Sequence, residues 1–542
     1  MMPRVGKRKF RMMFMIPCFT LASSVVLILQ ANFKGIPEHY NGYHTGRSLL
    51  EFSNDSLFRC IPSGISSFPS DFFTQEERQR GGVIIHLLLT AYICAMIAVV
   101  CDDYFIPSLE IISDKLQLPS DIAGATFMAI GTSAPELFSS ITGSFVTEGD
   151  IGIGTIIGSA VFNILAVTGL VGLILWNEDL QIDWYPIARD CGFYGLTIAC
   201  LIWIISDNIV TWWESLILLM MFLLYLIVIY FNTTLERWAK HLVKRAQESD
   251  CFECCSGGSE KAPLLPNQIF VPELLDSQNK PKPERDSFSI DFREIRENAA
   301  SQKNAIYARI DSMVVSEELY SEGTLCSAPT GGAWSFVWWV MMYPSLVLFY
   351  LTIPDIRNSK WNKLFPLTFL MSVVWIGVLS YLAVWMVTVI GYTFGIPDSV
   401  SGLTVLAAGT SVPELISSVL VAQSGGVLKA FMDRVGLGNM AISNLVGSNT
   451  FDISFCLGAP WLAKTLISEE GYLLVYSSAL TYTTATLLLT LIAFVLTFVF
   501  TGWKLNKAVG FTFMTIYSLV VVLACMYELN MFGEINVPGC DS

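Results

Sequence analysis

Charge is what this sequence has least of. Only 14% of its 542 residues are Asp, Glu, Lys or Arg, against roughly 25% in a soluble globular protein. Hydrophobic residues make up 53%, and mean hydropathy is +0.56. A soluble fold could not cover its surface with so few charges, so a water-soluble multidomain protein is excluded. An excess of positive charge is also missing. The formal net charge is −14, which argues against nucleic acid as a partner, because a phosphate backbone needs surplus Lys and Arg. The thirteen cysteines are scattered, with no pair of CxxC motifs, so neither a zinc site nor a disulfide scaffold is implied. Histidine is scarce: His39, His44, His86 and His241 are the full set. With no nucleophile–base pair and no metal-hydrolase motif, an enzyme is not expected. What remains is a polytopic membrane protein whose apolar residues fall in runs of about 20.

The N-terminus reads as a targeting segment. Arg4, Lys7, Arg8, Lys9 and Arg11 precede the apolar stretch Met12–Leu29, so residues 1–31 are a signal peptide or an uncleaved signal anchor. A polar segment, 32–81, follows and carries one glycosylation sequon at Asn54. Apolar runs at about 82–106, 121–147, 152–176, 187–206 and 212–231 make a first set of five crossings. Residues 232–334 are rich in Ser, Glu, Lys, Pro and Asn and are expected to be disordered. Arg237, Lys240, Lys244 and Arg245 begin this loop, so the positive-inside rule makes it cytosolic and 32–81 extracellular. A second set of runs lies at about 364–391, 398–423, 439–465, 474–501 and 507–529, followed by an extracellular tail, 530–542. A further apolar run, Phe336–Ile353, contains Pro344 and is expected to be interfacial or re-entrant. In the loop, Cys251, Cys254 and Cys255 follow the basic stretch and are either palmitoylated or plain reduced thiols.

Two segments recur. GATFMAIGTSAPEL (Gly124–Leu137) matches GLTVLAAGTSVPEL (Gly402–Leu415), and GSAVFNI (Gly158–Ile164) matches GSNTFDI (Gly447–Ile453). The first pair is offset by 278 residues and the second by 289, so the second copy holds an 11-residue insertion, placed around Gly426–Val435. Five crossings separate the copies if Phe336–Ile353 does not span. The copies then lie upside down relative to each other, the arrangement of alternating-access carriers.

The repeated residues carry the chemistry. Glu136 and Glu414 fall within apolar segments, where a charged side chain costs roughly 2.5–3.5 kcal/mol even on lenient scales. No Lys or Arg lies in either motif. Thr132, Ser133 and Ser140 fall at −4, −3 and +4 from Glu136, and Thr410, Ser411 and Ser418 repeat this about Glu414. Pro135 and Pro413 lack an N–H, which frees the carbonyls of Gly131 and Gly409. Ser159 and Asn163 are a helical turn apart, as are Ser448 and Asp452. For Asn163 an interhelical hydrogen bond is the simpler alternative, and Gly154, Gly158 and Gly447 serve tight helix packing. Carboxylates, hydroxyls and carbonyls are hard oxygen ligands, suited to Ca²⁺ and alkali cations rather than transition metals.

These blocks resemble the two alpha repeats of the cation/Ca²⁺ exchanger superfamily, and the chain is similar to its K⁺-dependent Na⁺/Ca²⁺ exchanger family over about 60–234 and 335–542. CDDYFIPSLE (Cys101–Glu110) and WMVTVIG (Trp385–Gly391) belong to the likeness. The resemblance implies an all-α polytopic membrane protein. Its ten-helix core would be two inverted five-helix repeats, each with an alpha-repeat motif, covering 82–231 and 335–529. It implies Na⁺ flowing inward to extrude Ca²⁺ with K⁺, with a K⁺-independent Na⁺/Ca²⁺ or H⁺/Ca²⁺ antiporter as the alternative and a Ca²⁺ channel as a more distant one. Glu136 and Glu414 would be the central cation ligands. Thr132, Ser133, Thr410, Ser411, Ser159, Asn163, Ser448 and Asp452 would complete the pocket, with Asp452 as the K⁺-sensitive acid. The family's K⁺-dependent branch usually has Asp where this chain has Glu414, whose longer side chain would shift affinity.

No cofactor is expected beyond the transported ions, and the expected partners are Na⁺, Ca²⁺, K⁺ and the bilayer, with a homodimer left open. The plasma membrane is the family default, and an acidic intracellular organelle the alternative. Under this topology Cys60 and Cys540 alone lie in mature extracellular segments, so a Cys60–Cys540 disulfide is expected, with unpaired thiols or intersubunit bonds as alternatives. His86 is expected to be a packed core residue rather than a proton carrier.

Overall fold

The computed structural model describes residues 64–116, 129–147, 149–174, 180–232, 234–241, 333–356, 364–416, 418–419, 445–469, 471–533 and 536. The signal segment, Asn54, Cys60, Cys540, the insertion at 426–435 and nearly all of 232–334 lie outside these. Residues 232–323 form a unit of their own, of which 234–241 are helical.

The main unit is helical, and its helices fall within a few residues of the apolar runs. They are α1 (Gln75–Ser113), α2 (residues 129–147), α3 (Ile151–Ile174), α4 (Trp184–Ile205), α5 (Trp212–Tyr230), α6 (Ala333–Thr352), α7 (Phe365–Phe394), α8 (residues 398–416), α9 (residues 445–467), α10 (Ala479–Phe500) and α11 (Lys507–Glu528). Seven of the described helices, α1, α3, α4, α5, α7, α10 and α11, are long and apolar enough to cross a membrane. The run around Phe336–Ile353 is a helix with Pro344 inside it.

Helix α1 starts earlier than hydropathy suggests. Thr74 and Glu77 form a reciprocal capping box, which satisfies orphan N-terminal donors and starts the helix within the polar segment. Its first turns bury a charge cluster. Arg78 Nη1 lies 3.0 Å from Asp71 Oδ2, and His86 Nε2 lies 3.0 Å from the same oxygen. His86 is thus packed, as expected, but on a carboxylate rather than in an apolar shell. Burial pushes the Asp71 carboxyl up. The Arg78 hydrogen bond and the His86 contacts outweigh that and hold it below the usual carboxylate value. A depressed carboxylate stabilises the fold above its unfolded pKa of about 4, and that contribution is lost as pH falls through the lower folded value. Asp71→Ala would leave Arg78 buried without its carboxylate, a loss on the order of 3–5 kcal/mol. We expect a lowered unfolding temperature in detergent that Asp71→Glu partly restores; an unchanged temperature contradicts the cluster's role.

Two short antiparallel pairings fix how the halves face each other. β1 (Leu180–Gln181), before α4, pairs with β4 (Lys504–Leu505), after α10. β2 (Ile209–Thr211), after α4, pairs with β3 (Tyr472–Leu474), before α10. The start of α4 therefore meets the end of α10 and the reverse, so these packed helices run antiparallel. That is the relation an inverted pair requires.

Helices α3 and α8 pack at backbone distance. A Cβ on Gly158 would collide with the Leu403 carbonyl, and one on Gly154 would sit 2.6 Å from the Ser399 carbonyl. The packing role read for these glycines holds. On the β2/β3 face, Asp150, just before α3, accepts from Tyr476 N (3.1 Å) and Ser477 N (2.6 Å). Glu528, at the end of α11, accepts from Ser399 and Ser477 (both 2.7 Å) and from Asn536 (3.3 Å). The backbone N–H of Gly64 donates to Asp398. These contacts gather the start of α1's leader and the C-terminal tail on one face.

Candidate functional site

Both motif helices break at the same residue of the repeat. Ser133 (φ −92°, ψ 9°) interrupts α2, and Ser411 (φ −82°, ψ 11°) interrupts α8. Pro135 occupies the first turn after the first break, where its missing N–H costs least. The residual bonding repeats as well. Ser133 N donates to Ala129 O and Leu137 N to Ser133 O, at 3.0 and 3.1 Å. Ser411 N donates to Ala407 O and Leu415 N to Ser411 O, at 3.2 and 3.1 Å. The sequence reading placed Thr132, Ser133 and Glu136 on one face of a continuous helix. The break corrects that: the hydroxyl pair ends one half and the carboxylate begins the other. Broken helices of this kind are tolerated in membranes where they line a cavity and present backbone and side-chain oxygens to an ion.

Glu136 and Glu414 are fully buried, as are Asn163 and Asp452. The two halves meet here: Ser411 Oγ, from the second copy, donates to Glu136 Oε1, from the first, at 3.3 Å. Glu414 lies within electrostatic reach of both Glu136 and Asp452. On the other diagonal, Cys456 Sγ lies 3.7 Å from Asp452 Oδ1 and 3.9 Å from the Ser133 carbonyl, tying α9 to the break in α2.

Four of the other hydroxyls have a carbonyl of their own helix as an acceptor. Thr132 donates to Ala129 O (3.5 Å), Thr410 to Ala407 O (3.4 Å), Ser159 to Ile156 O (3.0 Å) and Ser448 to Leu445 O (3.1 Å). Each of these oxygens then has lone pairs to give. Further buried oxygens have no hydrogen-bond partner: Ser133 Oγ, Glu136 Oε2, both oxygens of Glu414, Asn163 Oδ1 and Asp452 Oδ2. Leaving one such group unsatisfied costs about 1–3 kcal/mol, more for charged groups. No Lys or Arg ion-pairs with these carboxylates among the described residues. A concentration of orphaned acceptors facing one another is the donor set of a hard cation. Among the described residues no three acidic, histidine or cysteine side chains converge closely enough to form a ready metal cage. The site mixes carboxylate, hydroxyl, amide and carbonyl oxygens instead.

Asn163 and Asp452 both lie at the start of irregular turns, Asn163 as the second residue of its turn and Asp452 as the first. A π-helical stretch runs over Phe162–Val167 in α3 and over Asp452–Leu457 in α9. Such bulges recur at functional sites because they offset one side chain from the helical ladder. Asn163 Nδ2 donates to Asn449 Oδ1 at 3.2 Å, so the interhelical hydrogen bond weighed for it is present, while its own Oδ1 stays unpartnered.

Sequence reasoning passed over three features. Asn449 occupies the place of Ala160 in the first copy, and the motif alignment could have singled it out. Tyr194, on α4, buries an unpartnered hydroxyl within electrostatic reach of Asp452. Its helix carries no repeat motif, so nothing marked it. The third is an ion pair in α4, Arg189 Nε to Asp190 Oδ1 at 2.8 Å, joined by Tyr225 at 3.4 Å.

A family model for sodium/calcium exchanger protein matches residues 86–231 and 364–526, over half of the chain and spanning both motif pairs. The chain belongs to the sodium/calcium exchanger family. Within it the chain is similar to curated sodium/potassium/calcium exchangers. Human sodium/potassium/calcium exchanger 5 is 39% identical, over 89% of this chain and 91% of the relative. A probable exchanger of this type from Drosophila melanogaster is 34% identical over 89% and 86%, and mouse sodium/potassium/calcium exchanger 4 is 33% identical over 89% and 87%. A solved sodium-calcium exchanger, NCX_Mj, is 20% identical, covering 81% of this chain and 98% of its own, with a TM-score of 0.38.

Proposed function

We propose that the protein is a secondary active antiporter in which inward Na⁺ flow extrudes Ca²⁺ together with K⁺. It is a carrier rather than an enzyme. The observation that carries this reading is the pair of broken helices bringing Glu136 and Glu414 together, bonded across the repeats through Ser411 and surrounded by orphaned oxygens. The names of the relatives support the three ions. In this reading Glu136, Glu414 and Asp452 supply charge, and Thr132, Ser133, Thr410, Ser411, Ser159, Ser448 and Asn163 supply neutral oxygens. The test is uptake of radiolabelled Ca²⁺ into Na⁺-loaded cells expressing the chain, in Na⁺-free medium with and without K⁺. Uptake that requires both the Na⁺ gradient and K⁺ is expected. Uptake indifferent to K⁺ would point to the K⁺-independent alternative.

The chain is a multi-pass membrane protein, and we place it in the plasma membrane with the 232–334 loop in the cytosol. The β2/β3 face is then extracellular. The ten-helix arrangement of two inverted sets is part of the proposal, supported by antiparallel α4 and α10. A homodimer is compatible with it.

The extracellular disulfide also belongs here. Gly64 bonds Asp398, the next residue Ser399 bonds Glu528, and Glu528 bonds Asn536. Residues four positions from Cys60 and from Cys540 are thus held on one face. We expect protease cleavage in 232–334 to leave the two halves joined on gels without reductant and separate with it. Separation without reductant rules the bond out.

A further inference from the structure

Tyr194, near the middle of α4, is fully buried, and its hydroxyl has no hydrogen-bond partner. Burying an unsatisfied hydroxyl is costly, and a phenylalanine would fill most of the same space without that cost. Helix α4 packs on the π-helical stretch Asp452–Leu457 of α9. Of the ionisable groups around the Tyr194 hydroxyl, the Asp452 carboxyl acts on it most strongly. Asp452 Oδ2 is likewise buried without a partner. A hydroxyl and a carboxylate oxygen thus stand within electrostatic reach of each other without bonding, and neither is satisfied. A phenolic oxygen has lone pairs as well as a proton, so it can serve a cation as a ligand.

The other copy of the repeat is built differently. There α10 packs on the matching stretch of α3, Phe162–Val167, where Asn163 stands in place of the acid. The one tyrosine of α10, Tyr482, is exposed. The buried hydroxyls of α10 belong to Thr483, Thr484, Thr486 and Thr490, and each donates to a carbonyl of its own helix. The extra carboxylate and the unpartnered phenol therefore occur together, on one side of the repeat. We propose that Tyr194 is a further ligand of the side position at Asp452, its hydroxyl oxygen helping to coordinate K⁺ there. The inference rests on the exchange reading above and deepens it. A neutral oxygen replaces part of an ion's hydration shell without adding charge. It suits a monovalent ion held by one carboxylate and gives less to a divalent ion held by the two glutamates.

The test is Tyr194→Phe, which removes the hydroxyl and keeps the ring. Among the described residues nothing bonds that oxygen, so folding should be spared, and surface labelling checks this. In Na⁺-loaded cells the half-saturating external K⁺ should rise about three- to tenfold, the worth of one neutral contact, while half-saturating Ca²⁺ at saturating K⁺ moves by less than about twofold. In the Asp452→Asn background the same substitution should change nothing further. A second readout does not depend on transport: K⁺ should raise the unfolding temperature of the purified protein, and Tyr194→Phe should need more K⁺ for the same rise. An unchanged K⁺ requirement in Tyr194→Phe overturns the proposal. So do equal shifts for K⁺ and Ca²⁺, which a purely structural or water-holding hydroxyl would give. Ca²⁺ uptake without K⁺ by the unsubstituted protein would instead defeat the K⁺ part of the exchange reading, and the proposal with it.

Discussion

Glu136→Gln and Glu414→Gln should each abolish Na⁺-driven Ca²⁺ uptake, by about a hundredfold or more, while the protein still reaches the membrane. The amide keeps the shape of the carboxylate and removes one negative charge from a fully buried site. A divalent ion gives up its hydration shell there and needs that charge. The loss of a charged partner in a buried ion pair is on the order of 3 kcal/mol or more, which is over a hundredfold in occupancy. Folding should be spared because neither glutamate ion-pairs with a Lys or Arg among the described residues. Both Glu414 oxygens and one Glu136 oxygen lack a hydrogen-bond partner, so the ion-free protein loses little when the charge goes. Flux assays paired with surface labelling read both quantities. Wild-type flux in either variant would remove that residue from the pocket.

Asp452→Asn is expected to have a different outcome: exchange continues at reduced Ca²⁺ affinity and no longer needs K⁺. The substitution makes the two copies match, since Asn163 stands in the equivalent place. Both residues lie within the first two positions of a π-helical stretch, where the regular helical ladder is interrupted. Glu136 and Glu414 alone neutralise Ca²⁺, and the third carboxylate leaves a charge for one monovalent cation. Among the candidates K⁺ is large and weakly hydrated, and it suits a loosely built side position. Asp452 Oδ2 is buried without a partner, as such a position requires. If Asp452→Asn still requires external K⁺, then K⁺ is held elsewhere.

Much of this was legible in the sequence because the membrane simplifies the reading. Runs of about 20 apolar residues gave the helices, and the repeated blocks singled out Glu136, Glu414, Asn163 and Asp452. The breaks at Ser133 and Ser411 were only half legible: the prolines two residues on announced a freed carbonyl, but not a helix end. The π-helical turns were not legible at all, since they depend on how α3 and α9 pack rather than on a residue type. Asp71, with Arg78 and His86, was hidden for a different reason. The three are spread along a polar segment and the start of a helix, and tertiary packing alone brings them together. Tyr194 escaped because its helix carries no repeated block, whereas Asn449 stood in the motif alignment opposite Ala160 and was passed over.

The most direct measurement is simultaneous uptake of radiolabelled Ca²⁺ and of radiolabelled Rb⁺, as a K⁺ substitute, into Na⁺-loaded vesicles containing the purified protein. The expected result is that each ion enters only when the other is present and only while an outward Na⁺ gradient exists, with both fluxes lost in Glu136→Gln. Ca²⁺ uptake that proceeds without K⁺ or Rb⁺, or without the Na⁺ gradient, would contradict coupled exchange through this site.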